Sequence, residues 1–294
     1  MTATPAIRRT EAPTASGTRN EQGGWLLAAP LLLFTACMFL YPATTVIRTS
    51  LARSNDVDAG GFTFSHYISF FSDELYLKAL TNTLLIAVLT TVITGAIGLL
   101  YAYQLTVRPG LRQLQLALLL TPLLVNGVVR IFGLQLGLIS VDDLLMRADL
   151  IDSPLGLNYS LAGIVIALVM FQFPFMAMAV YASLSRLDTT LVEAARTLGA
   201  DRLSVLVRVV FPLAVPGLVA GGVLTFAAAA GTFIVPAMMG GGRVNTVPQM
   251  VYTSLSQSQL WATASAFAVI LVVVLVIPIM LGTHFGGRDT SGAR

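Results

Sequence analysis

Four polar side chains interrupt the long apolar runs of this 294-residue chain, and they are the groups that could bind a solute in an apolar environment. They are Asn126, Arg130, Gln135 and Gln172. Arg130 is the one charge well inside a run, and a guanidinium there is costly unless it faces a cavity or a partner. Arg130 therefore either lines a pathway or gate, or forms a structural pair with a polar neighbour or a partner subunit. For the three amides, hydrogen-bonded helix packing is an equal alternative to a pathway role.

A second set of regularly spaced residues lies in a polar stretch, 184–212, between two apolar runs. Asp188 is placed to cap a short helix that begins at Thr189, and Gly199 suits the left-handed position that ends one. Asp201 can then cap a following helix. Helical spacing would place four apolar side chains on one face of the first helix: Leu191, Ala194, Ala195 and Leu198.

Small alanines on that face would let another protein approach closely, with Glu193 and Arg196 flanking the contact. The pattern predicts a helix, a sharp turn and a second helix. Together they would form a compact projection from the structure that the apolar runs form. An ordinary interfacial helical hairpin is the alternative interpretation.

Catalytic and metal chemistry find little support in the remaining residues. The one lysine, Lys78, has no glycine turn before it, so the chain lacks a phosphate-binding loop. The two histidines, His66 and His284, lie far apart without a cysteine or carboxylate cluster at metal spacing. A single cysteine, Cys37, excludes an intrachain disulfide. We expect neither an enzyme nor a metal or cofactor site in the chain itself.

Composition places these residues in a membrane protein. Hydrophobic residues make up 56% of the chain and charged residues 11%, with a mean hydropathy of +0.82. Apolar runs long enough to cross a bilayer recur along the chain. We predict an all-α polytopic protein with six spans, at about 25–47, 80–105, 113–139, 159–182, 213–238 and 261–284. Residues 1–22 are predicted to form a disordered tail, 23–285 the membrane domain and 286–294 a second tail.

The distribution of lysine and arginine predicts the orientation, because cytoplasmic segments carry the excess of these residues. With the N-terminus inside, the cytoplasmic side holds Arg8, Arg9, Arg19, Arg108, Arg112, Arg186, Arg196, Arg202, Arg208, Arg288 and Arg294. The external side then holds Arg48, Arg53, Lys78, Arg147 and Arg243. Both termini and the stretch 184–212 are thus expected in the cytoplasm.

Several motifs resemble the permease subunits of bacterial binding-protein-dependent ABC importers. The sequence Glu193-Ala194-Ala195, three residues, Gly199, then Val209-Val210-Phe211-Pro212 is similar to their signature loop. Positions 209 and 211 depart from the Ile and Leu that are more usual there, but stay apolar. Further stretches look like the spermidine/putrescine type: Phe173-Pro174-Phe175-Met176, Val129-Arg130-Ile131, Phe233-Ile234-Val235-Pro236-Ala237 and Leu260-Trp261-Ala262.

The resemblance implies a type I importer permease in the bacterial inner membrane. It implies a second permease subunit, most simply as a heterodimer, two ATP-binding subunits that bind the ATP, and a periplasmic substrate-binding protein, with membrane lipid around them and no nucleic acid. The loop residues that match the family pattern would couple to the ATPase. A polyamine such as spermidine or putrescine is the expected cargo. An opine or amino-acid derivative, a phosphonate or ferric ion are alternatives, as is a non-catalytic membrane scaffold.

Overall fold

The computed structural model describes residues 21–53, 61–185 and 189–288. Regular structure in these ranges is helical, apart from one isolated bridge between Ala52 and Phe62, as the predicted all-α fold requires. The helices are α1 (Glu21–Ser50), α2 (Ser65–Ser72), α3 (Glu74–Val107), α4 (Arg112–Leu120), α5 (Gly127–Arg147), α6 (Leu161–Leu184), α7 (Thr189–Thr197), α8 (Arg202–Val205), α9 (Phe211–Gly231), α10 (Ile234–Met239), α11 (Val247–Ser256) and α12 (Trp261–Arg288).

The chain divides into two compact units, Met1–Thr45 and Val46–Arg294. In the first unit the described side chains of α1, from residue 29 onward, are almost all exposed and apolar. The second unit contains α2 to α12. Residues 1–20 and 289–294, which hold most of the two predicted tails, lie outside the described residues.

Five helical segments of the described chain are long and apolar enough to cross a membrane. They are Ala29–Ser50, Glu74–Val107, Leu161–Leu184, Arg202–Gly231 and Trp261–Met280. A sixth crossing results if the bent pair Arg112–Leu124 and Gly127–Arg147 is counted as one span. The number of predicted spans therefore agrees with the structure, with one span of a different shape.

The prediction of one continuous third span over 113–139 is wrong. Its two helical parts meet at 102°. Pro122 lies in a 3₁₀ turn, Val125 is extended, and the Asn126 side chain accepts the Val128 N–H at 2.9 Å to start α5 afresh. The predicted fifth span, 213–238, also ends early, because Thr232 is extended after Gly231 and the short α10 follows.

The core of the second unit is the packing of α3, α6 and α9, and glycines permit its closest contacts. A Cβ added at Gly217 would lie 2.6 Å from the carbonyl oxygen of Ala179, and one at Gly221 2.7 Å from the Met176 sulfur. The spacing of these two glycines therefore serves close helix contact. The same spacing at Gly133 and Gly137 of α5 does not, since no described atom lies within 4 Å of an added Cβ there.

Candidate functional site

The polar stretch between α6 and α9 forms a projection that we call the loop knob, residues 189–205. α7 starts at Thr189, where the sequence predicts a helix start, and ends at Thr197. Gly199 has φ +83°, the left-handed conformation expected of it. Asp201 Oδ1 accepts the Ser204 N–H at 3.1 Å and caps α8. Asp188, expected to cap α7, and the side chain of Glu193 lie outside the described part of the chain.

Hydrogen bonding also sets the charge state of the cap. Asp201 is fully exposed, and the hydrogen bonds from the side chain and backbone of Ser204 lower its pKa below the usual range. The charge of Arg208 acts in the same direction as a smaller cause. The carboxylate therefore remains ionised while it caps α8.

The apolar face predicted for α7 is divided between two directions. Val192, 3% exposed, packs with Leu184 and Val205 in a buried cluster, and the half-buried Ala195 packs against the same cluster. Ala194 and Leu198 are exposed, and Leu198 retains 88% of its accessible surface. The large side chain of Val192 orients the helix, so Ala195, three residues later, lies inward with it. Ala195 is therefore turned away from the outer surface, and the side chain of Leu191, the fourth residue of the predicted face, lies outside the described part of the chain.

A continuous helical segment connects the loop knob to the bundle. α8 leads through a π-helical turn, Leu206–Val210, into α9. Pro212 follows this π-helical turn, and the helix continues through it. Arg202–Gly231 is therefore one helical segment of 30 residues that joins the knob to the bundle.

A pocket of about 440 Å³ lies where α5, α6, α9 and α10 meet. Its walls hold both Asn126 and Gln172, two of the four polar candidates, although they are 46 positions apart in the sequence. The other lining residues are Gly127, Val128, Ile131, Leu168, Phe171, Ala228, Thr232, Ile234 and Val235. The structure therefore provides a small, mostly apolar chamber with a few polar groups.

Gln172 is the most buried of the polar candidates, at 9% exposure. Its side chain borders the pocket, and its amide makes no hydrogen bond to the described residues. Asn126 uses its Oδ1 for the cap of α5 and is otherwise exposed. Both amides can thus reach a small molecule in the pocket.

Arg130 lies behind the pocket wall, in the first turn of α5. Its guanidinium carbon is 4.0 Å from the centroid of the Phe171 ring, and Phe171 lines the pocket. The Nε and Nη1 atoms are buried and have no hydrogen-bond partner among the described residues. No described carboxylate lies within ion-pair distance, so the aromatic face is the contact that stabilises this cation.

Gln135 is separate from the other three candidates. Its side-chain Nε2 donates to the backbone carbonyl of Met238 at 2.9 Å. Its backbone carbonyl accepts a hydrogen bond from Asn158 Nδ2 at 3.3 Å. These bonds tie α5 to α10 and to the segment before α6. The residue is not part of the pocket wall.

Phe171 and Thr232 are among the pocket residues that the sequence analysis did not single out. Phe171 is one aromatic residue among many in apolar runs, and nothing in its local sequence marks it as the partner of Arg130. Thr232 could have been recognised, because Gly231-Thr232 is a helix-terminating pair within an apolar run.

Known proteins resemble this chain in both sequence and fold. Residues 26–285 match the family described as binding-protein-dependent transport system inner membrane component. The chain is 31% identical over 264 residues to the spermidine/putrescine transport system permease protein PotB of Escherichia coli (strain K12), covering 88% of this chain and 92% of that protein. It is 29% identical over 260 residues to the putative 2-aminoethylphosphonate transport system permease protein PhnU of Salmonella choleraesuis (strain SC-B67), covering 85% and 87%.

Among solved structures, a bacterial ABC transporter involved in the import of the acidic polysaccharide alginate has a chain of the same fold. The TM-score is 0.75 at 18% sequence identity, over 91% of this chain and 96% of that chain.

Proposed function

The chain belongs to the family of binding-protein-dependent transport system inner membrane components, and we propose that it couples the passage of a small amine-bearing solute to ATP hydrolysis by a separate subunit. The family makes it a membrane-embedded permease of an ABC importer. The coupling, the cargo and the arrangement of subunits are the proposed part.

The observation that carries the coupling proposal is the loop knob. Val192 anchors α7 to the bundle, whereas Ala194 and Leu198 face outward from it. An 88% exposed leucine beside a small alanine suits a groove on another protein, because burying apolar surface there stabilises the contact. The continuous segment from Arg202 to Gly231 would carry the motion of an ATPase into the bundle.

The proposed orientation places both termini and the loop knob in the cytoplasm. It rests on the excess of arginine in the segments assigned to that side. An ATPase meets the knob only in this orientation. The opposite face would receive cargo from a periplasmic binding protein.

The proposed assembly contains a second permease subunit and two ATP-binding subunits. The wall of the pocket includes Asn126, which is an exposed residue. A second permease would supply the other wall of the pathway. We propose a related but different subunit.

Two cargoes follow from the relatives, and both carry an amine. A polyamine is supported by the relative named for spermidine and putrescine. An aminophosphonate is supported by the relative named for 2-aminoethylphosphonate, and Arg130 is an observation in its favour, since a cation beside the pocket attracts an anionic group and repels ammonium.

Affinity purification of the full chain from its native membrane tests the assembly, and ATP hydrolysis by the purified complex tests the coupling. We expect a second permease and an ATPase to co-purify, and Gly199→Arg to remove stimulation of the ATPase by the binding protein. Gly110→Arg is the control, since Gly110 is exposed in a connection between helices and a Cβ added there meets no atom within 4 Å. Solute uptake by the chain alone in ATPase-free vesicles would contradict the proposal and indicate a secondary carrier.

A further inference from the structure

The pocket lined by Asn126, Phe171 and Gln172 has opposite polarity on two sides. From this we propose that it binds a small zwitterion, an ammonium group joined by a short chain to a carboxylate or phosphonate. The inference rests on the proposed importer function and chooses between its two cargoes.

The positive side is formed by the first turn of α5. This helix has 21 residues, and its first two, Gly127 and Val128, belong to the pocket wall. A helix N-terminus carries a partial positive charge, and a full positive charge in that turn is unfavourable unless an anion compensates it. Arg130 adds such a charge, and this first turn contains no acidic residue. The first turn of α5 therefore has no negative charge of its own to compensate its positive charge, and an anionic ligand could supply one.

The buried face of Arg130 does not satisfy this need. Phe171 covers one side of the guanidinium, and Nε and Nη1 have no partner in the described residues. Cation–π contact leaves the in-plane N–H groups free for hydrogen bonds, and a carboxylate or phosphonate is the group that a guanidinium binds best. Phe171 lines the pocket, so the charge of Arg130 acts on an anion there from directly behind this ring.

The negative side is formed by the end of α9. Ala228 and Thr232 belong to the wall, and Thr232 is extended, so its N–H does not continue the helix. The carbonyls of the last turn therefore do not all receive the N–H that a further turn would supply. A helix C-terminus carries a partial negative charge. An ammonium group is the natural partner for these carbonyls and for the Thr232 hydroxyl.

Gln172 is the independent sign that a ligand completes the site. The residue as a whole is nine-tenths buried, it borders the pocket, and its amide makes no hydrogen bond to the described residues. An amide offers both donors and an acceptor, so it can bond either end of a zwitterion. A polar ligand in the pocket would supply the hydrogen-bond partners that the protein does not.

A polyamine fits this polarity poorly. One ammonium could bind at the end of α9, but the next would meet Arg130 and the start of α5. The volume, about 440 Å³, lies within the usual range for small-molecule sites. The pocket therefore has room for a short amino acid or aminophosphonate.

The test measures the equilibrium binding of solutes to the purified importer complex in lipid nanodiscs. The binding protein is left out, so that only the permease can discriminate between the solutes. The probes are putrescine and 4-aminobutanoate, which share a four-carbon chain and one ammonium, together with 2-aminoethylphosphonate. We expect both zwitterions to bind about tenfold or more tightly than putrescine. Tighter binding of putrescine, or no zwitterion binding at millimolar concentration, would overturn the inference.

Substitutions at the pocket test whether the solutes bind there. Arg130→Gln should weaken zwitterion binding about tenfold, whereas Arg112→Gln, which removes an exposed cation of α4, should leave it unchanged. Gln172→Glu should reverse the preference toward putrescine, a change that a purely structural role would not produce. If Arg130→Gln does not fold, the result for Gln172→Glu decides, and an unchanged preference there refutes the site.

ATP hydrolysis, measured on the same preparation, separates the two proposals. A wild-type complex whose ATPase responds to its binding protein, but whose permease prefers putrescine, retains the importer function and loses the zwitterion site. A complex that binds zwitterions but contains no ATPase contradicts the importer proposal instead.

Discussion

The guanidinium carbon of Arg130 lies 4.0 Å from the centroid of the Phe171 ring, so the first turn of α5 is joined to the middle of α6 by a cation–π contact. The contact lies directly beside the pocket, whose wall includes Phe171. It stabilises a charge that hydrocarbon alone would not tolerate, and it holds the start of the broken helix against the bundle.

Replacing Phe171 by Leu should weaken this junction while keeping an apolar side chain of similar reach. We expect a loss of about 0.5–2 kcal/mol in unfolding free energy, the usual value of a cation–π pair. The measurement is a double-mutant cycle of Phe171→Leu and Arg130→Met by thermal unfolding in detergent. A coupling energy near zero would show that the two side chains stabilise the protein independently.

Adding one methyl group at Gly217 should be destabilising. Its Cβ would lie 2.6 Å from the Ala179 carbonyl oxygen and 2.8 Å from the Val180 Cα, so α9 must move away from α6. Overpacking of this kind costs roughly 1–3 kcal/mol. Gly133→Ala is the matched control, because its Cβ meets open space and alanine favours helix by about 0.5–1 kcal/mol. Equal abundance and melting temperature for the two variants would contradict the packing found here.

Charge at Leu198 should uncouple the importer without unfolding it. Leu198→Glu changes a residue that is 88% exposed, so protein abundance should stay normal while binding of the ATPase and transport decrease strongly. Val192→Glu, six positions earlier and inside α7, buries a charge in the cluster and should lower abundance instead. Normal transport with Leu198→Glu would remove this face from the coupling surface.

Stability of the loop knob should depend on the ionisation of Asp201. The pKa of Asp201 is lower in the folded protein than in the unfolded chain, so the charged cap stabilises the fold above the unfolded pKa. That contribution is lost as the pH falls through the folded pKa. Asp201→Ala should therefore lower the melting temperature more at pH 7 than at pH 3, which lies below the unfolded pKa. An equal effect at both pH values would show that ionisation is not involved.

Much of the architecture follows from the sequence alone. Five of the six predicted crossings depend on long uncharged runs. Such runs form helices in a bilayer whatever their neighbours, because no water is present there to form hydrogen bonds with the backbone N–H and C=O groups. The turn at Gly199 and the cap at Asp201 are local in the same way. Each depends on the residue itself and on those within one helical turn of it.

The positions at which these local elements contact one another depend on the tertiary structure. Hydropathy does not distinguish a straight span from the 102° break between α4 and α5, because the two halves together are apolar enough to count as one span. Nor does it show that Asn126 and Gln172 share one pocket, or that Arg130 lies on Phe171. Those relationships depend on helix rotation and register, which are set by packing at glycines such as Gly217 and by anchors such as Val192.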